Sequence, residues 1–206
     1  PNGEKYSGNW AKEKRNGQGT FYYINQDVYE GNWINDSREG KGVLTFSNGE
    51  RYEGEFKKNN ISGKGKYTFK NGDVYDGNWK QKERTGEGSI IYTNGNYYKG
   101  QFLDGELNGR GLMTYANGDS YEGTWKNNKK SGRGTYLYEN KDKYKGYWKN
   151  NKKDGWGSMI YLNGERYDGD WKKDQAQGHG TFSYITGEKY KGSWVNNKRE
   201  GRGTLT

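Results

Sequence analysis

His179 is the one histidine among 206 residues, and there is no cysteine. General acid–base work, nucleophilic catalysis and metal binding draw first on these two residue types. A lone imidazole supplies neither a Ser-His-Asp set nor a histidine-rich zinc site. Gly-x-Gly triplets could cradle a phosphate, but that chemistry needs one special copy between a strand and a helix, and here the triplets recur throughout. The sequence therefore indicates no catalytic residue, no metal site, no cofactor and no enzyme.

Charge and apolar side chains offer more. Lys126, Lys129, Lys130, Lys149, Lys152 and Lys153 fall in two short basic clusters of a chain with net charge +9. Such clusters attract acidic protein surfaces or acidic phospholipids, gaining about 1 kcal/mol per residue at an anionic membrane. Leu137, Tyr147, Trp156 and Ile160 are apolar where most other copies of the same sequence pattern are polar. They form a candidate contact for another protein or a second copy of the chain. Basic residues beside aromatics also suit single-stranded nucleic acid, but these aromatics are needed for packing, so nucleic acid is disfavoured.

The elements that position these residues follow from a repeat. Tyr recurs at Tyr6, Tyr29, Tyr52, Tyr75, Tyr98, Tyr121, Tyr144, Tyr167 and Tyr190, always 23 residues apart. With that Tyr as position 0, position 2 is Gly and position 4 is Trp or Phe, as in Gly8 and Trp10 or Gly54 and Phe56. Positions 11 and 13 are Gly in every copy, from Gly17 and Gly19 to Gly201 and Gly203. Position 15 is apolar or Tyr, and position 17 is Tyr or Phe wherever the chain reaches it. Two period-2 segments per copy, separated by polar residues and followed by Asn-Gly, read as one antiparallel hairpin per repeat.

Side-chain alternation places Tyr, the position 4 ring, the glycines and the position 15 residue on one face. This parity sets position 0 opposite 15, position 2 opposite 13 and position 4 opposite 11 within a hairpin. The Asn-Gly step supplies the positive φ of a tight turn. A strict two-residue turn there would send the position 17 ring to the wrong face, so a three-residue connection or glycine bulge is expected. Gln26 and Lys141 replace the turn Gly, and Thr186 replaces the turn Asn, so looser turns are expected at those three places. Positions 5 to 9 form the other loop, with 19 Lys or Arg against 6 Asp or Glu, a basic ridge along one edge.

With hydrophobic residues at only 28%, a thick aliphatic core is excluded; 8 Trp and 20 Tyr must supply the burial instead. No run approaches the ~20 apolar residues of a membrane helix. Absence of cysteine suits a reducing compartment. Asn2-Gly3-Glu4 reads as an inter-repeat turn and Thr206 stops just short of a ninth position 17 aromatic, so a segment of a longer protein is expected.

Y-x-G-x-W followed by G-x-G, nine times in register with Phe56 and Phe102 replacing Trp in two copies, resembles the MORN (membrane occupation and recognition nexus) repeat. The resemblance implies an all-β fold: an elongated, single-layer, twisted antiparallel sheet of tandem hairpins, one continuous array over residues 1–206. It also implies a non-enzymatic scaffold that docks other proteins of a larger complex, homodimers among them. Lys- and Asn-rich loops suggest an A·T-rich protist coding sequence, which by the same resemblance favours a ciliary (axonemal) or cortical cytoskeletal setting. The alternative is a cytoplasmic, peripheral membrane adaptor that touches acidic phospholipids through its basic edge.

Overall fold

The computed structural model describes residues 3–206; Asn2 of the expected first turn lies outside the described residues. The chain is all-β, with no helix among the described residues, and divides into two compact units, residues 1–105 and 106–206. The first unit holds β1 (Lys5–Ala11), β2 (Lys14–Tyr22), β3 (Val28–Ile34), β4 (Ser37–Thr45) and β5 (Arg51–Lys57). It continues with β6 (Asn60–Thr68), β7 (Val74–Lys80), β8 (Glu83–Ile91) and β9 (Tyr97–Leu103). The second holds β10 (Glu106–Thr114), β11 (Ser120–Lys126), β12 (Lys129–Leu137), β13 (Lys143–Lys149) and β14 (Lys152–Ile160). Its remaining strands are β15 (Arg166–Lys172), β16 (Gln175–Ser183), β17 (Lys189–Val195) and β18 (Lys198–Leu205). Within each unit every strand pairs antiparallel with the next in sequence, so hairpin follows hairpin.

Part of the expected register holds. Tyr6 faces Phe21 and Gly8 faces Gly19. Trp10, however, faces Arg15 and not Gly17. The polar stretch is not a five-residue loop: its turn is only two residues, Lys12-Glu13, both with positive φ, as in a type I′ turn. That tight turn pulls position 9 opposite position 4, and the surplus residues leave the ladder as a bulge ending on Gly17 at φ 89°. The glycine at position 11 then meets the indole of the following repeat, Gly17 facing Trp33 and Gly132 facing Trp148.

The other connection has three residues, as the face argument requires. Tyr23 N–H donates to Asp27 O and Gln26 N–H to Tyr23 O, enclosing Ile24, Asn25 and Gln26. Only the last of the three has positive φ, so the preceding Asn has a different task from the one its Asn-Gly context suggested. Its side chain accepts from the amide two residues on, as Asn71 Oδ1 does from Asp73 at 3.0 Å. Gln26 and Lys141 take the glycine conformation, at φ 70° and 71°, and make the same hydrogen bonds, so those turns are not looser. At Thr186 the hydroxyl replaces the amide oxygen over a longer 3.5 Å.

The core is a sheet of rings laid on backbone. Tyr29, Tyr52, Tyr75, Tyr98, Tyr121 and Tyr144 are fully buried, and each hydroxyl donates to the carbonyl three residues on, as Tyr52 does to Glu55 at 3.0 Å. Each Tyr ring meets the position 4 ring of its own repeat edge-on, at 5.2 Å for Tyr52 and Phe56. Within each unit it meets that of the next repeat in the same way, at 5.7 Å for Tyr52 and Trp79. Indole N–H groups reach back to the preceding repeat, Trp79 donating to Gly65 O at 2.9 Å.

Candidate docking surfaces

Position 9 becomes a ring-facing site because of the two-residue turn. Arg15 lies 4.4 Å from the Trp33 ring centre and 4.7 Å from Phe21, and Arg38 and Arg84 stand over Phe56 and Phe102. In the second unit Lys130 stands over Tyr136 (4.5 Å) and Trp148 (4.6 Å), and Lys153 over Trp171 (4.3 Å). The chain thus fills its aromatic face with its own cations, through cation–π contacts. Burial pushes the Lys130 ammonium down to about pKa 8 and lowers that of Lys153 as well.

This corrects the grouping of the basic clusters. Lys126, Lys129, Lys149 and Lys152 are exposed beside the hairpin tips, whereas Lys130 and Lys153 are half-buried among rings and do not belong to that edge. On the edge itself Lys126 faces Lys129 and Lys149 faces Lys152 across the ladder.

At one repeat an aliphatic position 9 leaves the face open. Ile61 takes the place of a cation in the first unit, and around it lies a groove of about 510 Å³. Leu44, Phe46, Phe56, Tyr67, Phe69 and Trp79 form its apolar walls, and Asp27, Arg38, Asn59 and Lys82 its polar rim. Arg38 gives one N–H to Asn59 O, while its buried Nε has no hydrogen-bond partner among the described residues.

The opposite face carries the apolar patch. Trp156 is 54% and Tyr147 38% exposed, with Leu137 also exposed and Ile160 half-buried. The structure does not pair Tyr147 with Trp156 in the ladder, because the Gly155 bulge falls between them. Tyr147 faces Arg133 and accepts from its Nε at 2.8 Å, while Trp156 faces Asp170. Leu137 and Ile160 flank Lys143 from its two sides. His179 is exposed opposite Ser193, and no group of three His, Cys, Asp or Glu poised for a metal occurs among the described residues.

Sequence reasoning missed the residues that tie one repeat to the next. In the type I′ turns the second residue, such as Asn59 or Asn151, takes a hydrogen bond from the position 9 amide of the preceding repeat. Its own amide donates to the carbonyl of that same residue. Asn and Asp suit these places because they tolerate positive φ and present a short acceptor. Their abundance therefore has a structural cause and needs no appeal to coding composition. At the other turns Asp73 accepts from the Thr93 amide at 2.8 Å and Asp119 from Glu139. The signal was present as polar residues recurring at fixed repeat positions.

The MORN repeat family profile matches residues 6–28, 29–51, 52–74, 75–97, 98–120, 121–143, 144–166, 167–189 and 190–206. Among curated proteins none matches the chain. Two solved structures share its fold at low identity. The TCP10 domain of Danio rerio CPAP superposes with a TM-score of 0.54 at 10% identity, covering 99% of this chain and 96% of that one. The G-box domain of the microcephaly protein CPAP gives 0.57 at 12% identity, covering 92% and 98%.

Proposed function

We propose that this chain, which belongs to the MORN repeat family, is a non-enzymatic interaction scaffold whose aromatic face receives segments of partner proteins. The groove around Ile61 carries this reading. Its walls are apolar and its few polar groups converge at the rim, the usual composition of a recognition site. An extended segment laid along it would bury side chains against Phe46, Tyr67 and Trp79. A carbonyl or carboxylate of the same segment would supply the acceptor that Arg38 Nε lacks. A cytoskeletal assembly, ciliary or cortical, is the setting we favour, by family resemblance. For the CPAP G-box domain, which shares the fold, a role in centriole elongation has been suggested.

The test uses the chain's own device for filling this face. Ile61→Arg should lay a guanidinium over Trp79 as Arg15 lies over Trp33. A photo-crosslinking residue in place of Phe46 should capture a polypeptide in cells, and Ile61→Arg should abolish that capture while the sheet stays folded. Undiminished capture in the Ile61→Arg protein would discard the groove as the docking site.

A second reading has its own observation. Lys126 against Lys129 and Lys149 against Lys152 set like charges directly opposite, an arrangement that costs stability unless an anionic surface neutralises it. A cytoplasmic, peripheral contact with acidic phospholipid would do so. It predicts sedimentation with anionic vesicles at low salt, released at high salt and by Lys→Glu changes at these four positions.

A further inference from the structure

Four rings enclose the Lys130 ammonium. Tyr115 lies at 5.8 Å, Tyr121 at 5.5 Å, Tyr136 at 4.5 Å and Trp148 at 4.6 Å. Two repeats later the same positions hold Tyr161, Tyr167, Phe182 and Trp194, but position 9 is Ala176. The ring spacings stay close to those around Lys130, with Ala176 buried beneath them. Phe182 and Trp194 are 6.3 Å apart at 36°, against 5.9 Å at 37° for Tyr136 and Trp148. Tyr167 and Trp194 are 5.0 Å apart, against 5.3 Å for Tyr121 and Trp148. Tyr161 and Phe182 are 6.1 Å apart, against 6.0 Å for Tyr115 and Tyr136. Among the described residues no cation stands over any of these four rings. We infer that Tyr161, Tyr167, Phe182 and Trp194, with Ala176 at their base, form an aromatic cage for a quaternary ammonium group, borne by a trimethylated lysine of a partner polypeptide.

The occupied cages define the chemistry. Lys130 and Lys153 show that this ring arrangement accepts an alkylammonium on a lysine-length stem. Burial lowers the pKa of both, because the rings take away water and return little to the N–H groups, only a long hydrogen bond from Lys153 Nζ to the Tyr138 hydroxyl at 3.5 Å. A trimethylammonium has no N–H to satisfy and keeps the full attraction of the ring faces, so it loses less on entry than a primary ammonium. Glu165 holds the repeat position that Asp119 holds beside Lys130, placing a carboxylate on the same side. The bond that Asp119 and Asp142 receive from the amide of the following turn is not formed between Ile185 and Glu165. A groove of about 400 Å³ adjoins the cage through Phe182 and Trp194 and carries Lys198 and Arg199, which suit acidic residues beside the modified lysine. That neighbouring groove favours a peptide over a choline headgroup. The inference does not depend on the groove around Ile61.

The experiment is calorimetric titration of the full chain with a short peptide holding one trimethyllysine between acidic residues. The unmodified lysine peptide and one bearing the uncharged tert-butyl isostere are titrated in parallel. The methylated peptide should bind with at least ~tenfold preference over both. Ala176→Lys should abolish binding, because the new side chain fills the cage as Lys130 does, while Ile61→Arg should leave it unchanged. Lys130→Ala should add a second site of similar affinity; if that protein does not fold, Lys153→Ala serves instead. Equal binding of the tert-butyl peptide, undiminished binding by Ala176→Lys, or no binding of the methylated peptide overturns the inference. Binding to phosphatidylcholine vesicles without the peptide reassigns the cage to a lipid headgroup and also overturns it.

Discussion

The phenol of Tyr52 occupies the space that a Cβ on Gly65 would need: a methyl there would come closer to the hydroxyl and the ring edge than real Cβ atoms approach. Gly54, directly opposite Gly65 in the ladder, is closed by the same ring. The glycines at positions 2 and 13 are therefore the floor on which each Tyr lies, a different task from that of the position 11 glycine, which holds the bulge.

Gly65→Ala should consequently behave as an overpacked core, losing about 1–3 kcal/mol even though glycine in a strand is intrinsically unfavourable. Tyr52 cannot move aside, since Phe56 and Trp79 hold it edge-on. Urea denaturation followed by tryptophan fluorescence measures the loss. A neutral or stabilising effect would mean that the ring does not lie on the Gly pair.

Asn151 combines two roles that substitution can separate. Its φ is 68°, and its Oδ1 accepts from the Lys130 amide at 2.7 Å. Asn151→Gly keeps the conformation and loses the hydrogen bond, at about 1 kcal/mol. Asn151→Ala also meets the left-handed penalty of about 1–2 kcal/mol, so it should be the less stable of the two. Thermal or urea unfolding of both proteins gives the order, and equal stabilities would refute the split.

Lys130 gives a pH dependence of definite sign. Its ammonium is pushed down to about 8 from 10.5, first by burial. Between those values the unfolded chain binds more protons than the folded one, so stability rises with pH across that window. Relative to Lys130→Met, which has no such proton, the wild type should gain between pH 8 and 10. Tyrosine ionisation affects both proteins alike: Tyr29, for instance, is raised to about 12 by burial, so its share of stability is present below pH 10 and lost above it. Urea midpoints of the two proteins across this range provide the test; a constant difference would mean that Lys130 stays solvated.

Gln26 adopts φ 70° where most copies have Gly. Gln26→Gly should stabilise by about 0.5–1 kcal/mol, the left-handed penalty less the extra freedom of an unfolded glycine. The same gain is expected for Lys141→Gly. A loss in denaturant midpoint at either site would show that the native side chain makes a contact worth more than the strain.

What could be read from the amino acids was whatever depends on alternation alone. Tyr6 opposite Phe21, Gly8 opposite Gly19 and the three-residue connection at Ile24–Gln26 all follow from keeping rings on one face. What could not be read was a turn whose positive φ falls on ordinary side chains. Lys12-Glu13 and Gln81-Lys82 carry no Gly or Asn, so the polar stretch looked like a loop and the bulge at Gly17 was hidden. Moving position 9 onto the ring face followed from that one turn. With it went Lys130 and Lys153, which composition alone assigns to a solvated edge, and the groove at Ile61 that only matters once the column of cations is seen.

The apolar patch on the other face separates into unequal halves. Tyr147 is engaged with Arg133, through the hydrogen bond and a guanidinium 5.1 Å from its ring, so Tyr147→Ser should cost the folded chain something of order 1 kcal/mol. Trp156 faces Asp170, has no aromatic or cationic partner among the described residues and stays more than half exposed, so Trp156→Ser should change stability by less than about 0.5 kcal/mol. If this face is a contact with another protein or a second copy, Trp156→Ser should weaken that association far more than it weakens folding. Sedimentation velocity over a concentration series, paired with urea unfolding, reads both quantities on one sample. Association unchanged by Trp156→Ser would leave the indole as an ordinary exposed side chain and return the search for partners to the aromatic face.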